Sequence, residues 1–286
     1  RAADPKEHRF HIPLGCMWYE DLRQEAKENG SKTKNLRTIR DSNVDIGVRL
    51  QDVFRKFEKH NPKLAGVFQY VDFSNQDRFT DALLDRLLGH FEKVRMRTSD
   101  VDSHILGNSY EYLISKFADD AGKKGGEFYT PKEVVRLLVE ILQPQEGNSL
   151  YDPTCGSGGM LLEAVNFLRR RNKDGSKIFL YGQEKNINTW AICKMALFLQ
   201  DIDKSYIERG DTLLEPKHLC KEKGVESLRK FDVILANPPF SLRNWGFSVW
   251  NSKEGDPFGR TKFGIPPKGY GDYAFIQHMV SSLKPK

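Results

Sequence analysis

Four consecutive residues, Asn237-Pro238-Pro239-Phe240, are suited to holding an aromatic amine. Two adjacent prolines stiffen the chain and remove two N–H donors, so the carbonyl groups face outward in a rigid frame. The Asn237 side-chain oxygen and the Pro238 carbonyl can then accept both hydrogens of a planar exocyclic amine, while Phe240 offers a stacking face to its ring. A stiffened turn would explain the prolines but not the neighbouring asparagine and phenylalanine.

The chemistry that this arrangement favours is transfer of a methyl group to that amine. The lone pair of an aromatic amine is delocalised into the ring, which makes the nitrogen a poor nucleophile. Holding both hydrogens out of the ring plane would move the nitrogen toward tetrahedral geometry and free the lone pair for in-line attack on a sulfonium methyl. Catalysis would then rest on positioning and desolvation more than on a strong general base.

A glycine-rich loop at residues 151–159 is the second candidate site. Apolar residues before and after it predict a strand and a helix, so Gly156, Gly158 and Gly159 would lie at a strand-to-helix turn, where α/β proteins bind nucleotides. The helix N-terminus adds partial positive charge, and Asp152 supplies a fixed carboxylate. The spacing matches neither Gly-x-Gly-x-x-Gly nor a P-loop, which makes phosphate binding the weaker interpretation. The acidic residue favours a cationic ligand such as S-adenosylmethionine.

Two further acidic residues follow predicted strands. Glu184 is placed to accept hydrogen bonds from both ribose hydroxyls of an adenosine. Asp211 could accept from the adenine amino group, or it could simply begin an ordinary turn. Because the carboxyl ends of parallel strands meet at one edge of a sheet, we expect these residues, Asp152 and Asn237 to converge on one crevice.

Alternating strands and helices must position these residues. The sequence predicts strands at residues 149–152, 178–182, 206–209 and 232–236. It predicts helices at residues 159–170, 187–199 and 273–283, with a loop and a short helix over residues 213–230. Apolar strands interleaved with helices indicate an α/β fold with a parallel sheet covered on both faces.

A further helix is predicted just before the sheet, over residues 134–142. Thr130 has the form of its N-cap, Pro131 would occupy the first helical position, and Glu133 would close a capping box. The predicted apolar face consists of Val134, Leu137, Leu138 and Ile141.

Residues 1–104 predict a helical N-terminal domain, and residues 105–286 a catalytic domain. Helices are expected at residues 18–28, 46–60 and 79–94. Basic residues cluster in two places, and a solvated surface is the favoured interpretation over nucleic-acid contact for either cluster alone. The clusters are Lys32, Lys34, Arg37 and Arg40, and Lys93, Arg95 and Arg97.

Composition adds weaker constraints. The net charge of +6 suits a polyanionic partner without requiring one. The cysteines lie far apart without a Cys-x-x-Cys pair, so ordinary reduced thiols are expected in place of zinc or disulfides. No signal peptide is visible and no apolar run reaches the ~20 residues that span a bilayer, which predicts a cytoplasmic protein. A first residue other than Met and an end just after a helical segment indicate a fragment whose sheet is incomplete at the C-terminus. The cysteines are Cys16, Cys155, Cys193 and Cys220.

At these motifs the sequence resembles the amino-methyltransferases of DNA, and more closely the modification subunits of type I restriction-modification systems. Residues 152–159 resemble the cofactor loop of that family, and residues 237–240 its motif for adenine N6 methylation. Residues 125–131 resemble the segment that closes over the methionine end of the cofactor. Because this segment precedes the glycine loop, the motif order is that of the gamma group.

The resemblance implies a Rossmann-like, S-adenosylmethionine-dependent methyltransferase preceded by an all-α N-terminal domain. Residues 237–240 would hold an adenine flipped out of duplex DNA, because N6 in a stacked pair cannot reach a buried methyl donor. The implied partners are duplex DNA, a separate specificity subunit, a restriction (motor) subunit and a second modification subunit. Cofactor contacts are implied for Ser157, Gly158, Gly159, Glu184 and the run Glu127, Phe128, Tyr129, Thr130, Pro131 and Lys132. Catalytic roles are implied for Asn237, Pro238, Pro239 and Phe240.

Other interpretations stay open from the residues alone. Related motifs serve cytosine N4, a guanine amino group in ribosomal RNA and a glutamine side-chain amide. The fold by itself also admits a nicotinamide-dependent dehydrogenase. A non-enzymatic scaffold could use a basic helical domain to hold DNA or a partner.

Overall fold

The computed structural model describes residues 45–91, 93, 103–120, 130–202, 204–222 and 224–285. The chain divides into two compact units, residues 1–101 and residues 102–286. The predicted helix at residues 18–28 lies outside the described residues.

In the first unit, two helices share a small apolar core. Helix α1 (Ile46–His60) and helix α2 (Asp81–Phe91) flank a 3₁₀ turn at Pro62–Leu64. The Asp81 carboxylate accepts from the backbone N–H groups of Asp45 and Ile46 at 3.0 and 2.9 Å, so the start of one helix caps the start of the other. The core of this unit is formed by Ile46, Leu50, Leu84 and Leu88.

In the second unit, helices α3 (Ser103–Asp120) and α4 (Lys132–Leu142) precede a parallel sheet. Its strands are β1 (Ser149–Asp152), β2 (Phe179–Glu184), β3 (Ser205–Arg209) and β6 (Val233–Ile234). Strands β4 (Leu219–Glu222) and β5 (Val225–Leu228) form a separate hairpin between β3 and β6. The order across the sheet is β3-β2-β1-β6, and every neighbouring pair is parallel. Helices α5 (Gly159–Arg170), α6 (Ile187–Leu199), α7 (Phe247–Trp250) and α8 (Asp272–Ser282) complete the unit. The predicted α/β fold is confirmed.

Both faces of the sheet are buried. Leu150 and Leu180 are opposite one another in the register of β1 and β2, and both are fully buried. The next pair in the register, Tyr151 and Tyr181, points to the other face and packs with Phe231. Such burial on two sides is characteristic of parallel sheets. It holds the carboxyl ends of β1 and β2, which carry Asp152 and Glu184, in fixed relative positions.

The region predicted as a loop and short helix, residues 213–230, instead contains the antiparallel hairpin β4–β5. Gly224, at φ 84°, supplies the left-handed residue that a tight turn requires. Each strand of this hairpin has only four residues and neither alternates apolar with polar residues, so the periodicity of apolar residues could not reveal them.

Two predictions about helix α4 are wrong. The helix begins at Lys132 with Pro131 as its N-cap residue and no side-chain cap, so Thr130 is not the N-cap and Pro131 is not the first helical residue. Its buried residues are Val135 and Val139, whereas three of the four residues of the predicted face are exposed, at 46% for Val134, 60% for Leu137 and 67% for Ile141, and Leu138 is half-buried. Apolar residues occupy so much of this helix that their spacing fits more than one face.

None of the helices in the described parts of the chain combines the length and apolarity needed to cross a membrane.

Candidate functional site

A cavity lies at the carboxyl end of β1, where the glycine loop leads into α5. It gathers residues from helices α3, α4 and α5, from the loop and from the segment after β6. The predicted site residues that line it are Thr130, Lys132, Asp152, Gly156, Ser157, Gly159 and Asn237.

The loop requires glycine at one position and opens into the cavity at another. Gly158 has φ 87°, and a Cβ there would lie 2.8 Å from Cys193 Sγ, so a side chain is excluded by both strain and space. At Gly159 a Cβ would meet nothing within 4 Å, because that position faces open space. Close approach of a ligand to the backbone at the start of α5 is therefore possible.

Two carboxyl groups at the strand ends give the site a negative character. Asp152 is 2% exposed, its Oδ1 accepts from the Thr154 N–H at 3.0 Å, and burial raises its pKa to about 7. Glu184 Oε2 accepts from the Gly156 N–H at 3.0 Å, and burial raises the pKa of this carboxyl too. A cationic ligand would stabilise the ionised form of both groups.

Helix α3 contributes a third carboxylate that the sequence did not identify. Glu111 lines the cavity together with Tyr110 and Ile114. Its Oε2 lies 3.3 Å from Lys132 Nζ, and its Oε1 accepts from Gln200 Nε2 at 3.2 Å. The folded arrangement brings this residue to the loop. The sequence did not reveal it because α3 carries no motif that indicates a ligand.

The amine-binding motif meets the cavity through its asparagine. Asn237 Nδ2 donates to Thr130 Oγ1 at 3.1 Å, which leaves the Asn237 Oδ1 as an acceptor. Pro238 and Pro239 are half-buried, and the Phe240 ring is 75% exposed. An aromatic ring exposed to this extent is accessible for stacking on a flat substrate.

Asp211 lies outside the lining of the cavity as the described residues form it. Its Oδ1 accepts from the backbone N–H groups of Leu213 and Leu214, at 3.0 and 3.2 Å, and its Oδ2 lies 2.8 Å from Lys185 Nζ. The carboxylate thus stabilises the turn after β3. Its contact with an adenine amino group stays a prediction.

The remaining predicted residues divide into two groups. Six predicted residues do not line the cavity in the described structure. Five of them, Pro131, Gly158, Pro238, Pro239 and Phe240, lie next to lining residues or the motif in sequence, and Glu184 contacts the loop through Gly156. Glu127, Phe128 and Tyr129 lie outside the described residues.

The residues present fit a ligand of the expected chemistry. Asp152, Glu184 and Glu111 suit the positive charge and hydroxyl groups of S-adenosylmethionine, and the open space at Gly159 lies at a helix N-terminus, which favours a carboxylate.

Comparison with known proteins agrees with this geometry. A family model described as N-6 DNA Methylase matches residues 101–286. The chain is 35% identical over 247 residues to the type I restriction enzyme HindI methylase subunit of Haemophilus influenzae, covering 82% of this chain and 52% of that protein. It is 30% identical over 289 residues to the type I restriction enzyme MjaIX methylase subunit of Methanocaldococcus jannaschii, covering 98% and 47%. The chain spans about half the length of these relatives.

A solved structure shows the same fold. The chain superimposes with a TM-score of 0.71 on the type I restriction-modification system methyltransferase subunit from Streptococcus thermophilus, at 24% identity, covering 99% of this chain and 55% of that one. The family model covers most of the chain, including every described residue that lines the cavity. The chain belongs to the N-6 DNA Methylase family.

Proposed function

We propose that the protein is the modification subunit of a type I restriction-modification system, with residues 105–286 as its catalytic domain. It transfers a methyl group from S-adenosylmethionine to adenine N6 in duplex DNA. The observation that carries this proposal is the placement of Asn237 in the same cavity as Asp152 and the glycine loop. Such a cavity can hold a methyl donor beside an amine.

One side of the cavity would hold the cofactor, which supplies an electrophilic sulfonium methyl when bound. Asp152 and Glu111 offer negative charge to its cationic groups, and Glu184 accepts from the ribose hydroxyls. Ser157 and Gly159, at the start of α5, receive its carboxylate through the helix N-terminus. Thr130 and Lys132, which line the cavity, would contact the cofactor from helix α4 and the residues before it.

The other side would hold the target base. Asn237 Oδ1 and the Pro238 carbonyl accept the two hydrogens of the adenine amino group, and the exposed Phe240 ring stacks on the base. The base must leave the duplex to reach this position. Because Thr130 accepts from the amide nitrogen of Asn237, the amide is held with its oxygen available to accept from the substrate. This pre-orientation lowers the cost of reaching the reactive geometry.

The proposed partners follow from the relatives, whose names identify them as type I methylase subunits. A separate specificity subunit would select the DNA sequence, a second modification subunit would complete the methylating complex, and a restriction subunit would join for cleavage. The net charge of +6 suits association with DNA in the cytoplasm.

The test is Asn237→Ala in the full-length protein. We expect methyl transfer to fall by about 10²–10³-fold, the range for losing one key polar contact to the reacting group, while S-adenosylmethionine binding measured by calorimetry stays within about twofold. Asn251→Ala, outside the cavity, is the matched control. Unchanged transfer in Asn237→Ala would remove Asn237 from the reaction. Absence of transfer by the wild-type protein would favour a scaffold, and binding of a nicotinamide cofactor in place of S-adenosylmethionine would favour a dehydrogenase.

A further inference from the structure

A chain of buried polar side chains adjoins the candidate cofactor site and has no role in the chemistry described above. Its members come from the end of β1, the turn after β3, the segment that follows residues 237–240, and helix α8. All are at most 9% exposed. They are Asp256, Arg260, His278, Tyr151 and Thr212.

This series of hydrogen-bonded side chains begins at a buried ion pair. Arg260 donates from Nε and Nη2 to Asp256 Oδ1 at 3.0 and 2.7 Å, and its guanidinium carbon lies 4.3 Å from the centre of the Trp250 ring. The same guanidinium donates from Nη1 to the Thr212 carbonyl at 3.2 Å and from Nη2 to the Leu213 carbonyl at 2.8 Å. A buried guanidinium requires this complete pairing. It therefore fastens the turn that begins at Asp211.

The donor and the acceptor of each hydrogen bond in this series can be assigned. A guanidinium can only donate, so Arg260 Nη1 donates to His278 Nδ1 at 3.2 Å. The proton on the neutral imidazole is then on Nε2, which donates to the Tyr151 hydroxyl at 3.1 Å. Burial lowers the pKa of His278 to about 3, so the ring stays neutral.

This series of side chains ends at the cofactor loop. Tyr151 is reached through His278, and Thr212 is held separately by the bond from Arg260 Nη1 to its backbone carbonyl. Thr212 Oγ1 donates to the Pro153 carbonyl at 2.5 Å. Pro153 and Tyr151 are the two neighbours of Asp152 in sequence, so the chain holds the backbone on both sides of that carboxyl group.

We propose that Arg260 is a positioning residue of the cofactor site, acting through His278, Tyr151 and Thr212 on the loop that carries Asp152. This inference rests on the proposed function, because it takes S-adenosylmethionine as the ligand of that loop. Arg260 lies between helix α7 and helix α8, in the part of the sequence that follows the amine-binding motif.

The test uses full-length variants that remove one hydroxyl each. Tyr151→Phe and Thr212→Val interrupt the chain with little change in volume, and Tyr181→Phe, opposite Tyr151 in the register, is the matched control. We expect the Kd for S-adenosylmethionine to rise about tenfold in both interrupting variants, because Tyr151→Phe leaves the His278 Nε2–H unpaired and Thr212→Val leaves the Pro153 carbonyl unpaired. It should stay within about twofold of wild type in Tyr181→Phe and in the conservative Thr212→Ser. KM for the cofactor should rise more than kcat falls.

The possible outcomes separate the two proposals. Wild-type affinity in folded Tyr151→Phe and Thr212→Val would overturn the positioning role and leave the proposed function intact. Unfolding of both variants would assign the chain of side chains to folding alone and also overturn the positioning role. Absence of S-adenosylmethionine binding to the wild-type protein would overturn both proposals.

Discussion

The side-chain amide of Asn237 donates to the hydroxyl of Thr130 across 3.1 Å. Thr130 precedes helix α4, in the segment that we assign to the cofactor, whereas Asn237 begins the motif that we assign to the target base. One hydrogen bond therefore joins the two halves of the site. It also occupies the donor end of the amide and leaves the acceptor, Oδ1, available to the substrate.

Loss of this bond should slow the chemical step. In Thr130→Val the Asn237 amide is free to rotate, and we expect the single-turnover rate at saturating cofactor to fall about tenfold, in keeping with the loss of one hydrogen bond. Thr130→Ser keeps the hydroxyl and should stay close to the wild-type rate. A wild-type rate in Thr130→Val would show that the bond has no role in orienting the amide.

Cofactor affinity should depend on pH because burial raises the pKa of Asp152 to about 7. Below that pH the group is protonated in the free protein, and a cationic ligand favours the ionised form, so binding releases a proton. Affinity should therefore increase by up to about tenfold per pH unit below pH 7 and level off above it. Calorimetry in buffers of different ionisation enthalpy measures the released proton.

The isosteric variant Asp152→Asn provides the control for this pH dependence. It should bind the cofactor more weakly and lose the slope between pH 5 and pH 7. A slope that persists in this range would assign the titration to another group.

Glu184 should contribute to affinity through its charge. In Glu184→Gln the side chain keeps its size but loses the charged acceptor, and the Kd for S-adenosylmethionine should rise about tenfold or more, as for a hydrogen bond to a charged group. Glu208→Gln, on the exposed side of β3, is the matched control and should leave the Kd unchanged. Equal affinities in the two variants would remove Glu184 from the site.

The orientation of helix α4 can be tested by a matched pair of valine substitutions. Val139 is 1% exposed and Val134 is 46% exposed. Val139→Ala should lower the free energy of unfolding by about 1–3 kcal/mol through the cavity it leaves, whereas Val134→Ala should change it by less than about 0.5 kcal/mol. Denaturant unfolding of both variants measures the difference. A larger loss in Val134→Ala would place the buried face where the sequence predicted it.

The sequence predicted those parts of the site whose signals are local. Asp152 and the glycine loop, Glu184 and Asn237 each follow directly from an apolar strand, so their place at the end of the sheet could be inferred from strand order alone. Gly158 shows why the inference works, because its positive φ and its contact with Cys193 require a residue without a side chain.

The parts that were not predicted depend on contacts between distant segments. Glu111 reaches the cavity from α3, and Arg260 meets His278 and Tyr151 only after the second unit has folded. The buried face of α4 is chosen by its packing against α5, since apolar residues on several sides of the helix made the spacing ambiguous. The spacing of apolar residues indicates which faces of a helix could be buried, and packing against the neighbouring element determines which face is buried.

The central claim is tested most directly by locating the transferred methyl group. Full-length protein is incubated with methyl-labelled S-adenosylmethionine and duplex DNA, with and without the specificity subunit, and the DNA is digested to nucleosides. We predict that the wild-type protein with the specificity subunit places the label in N6-methyldeoxyadenosine. In Asn237→Ala this label should be lost. Label in cytosine, in RNA or in protein would contradict the assignment of adenine N6 as the acceptor.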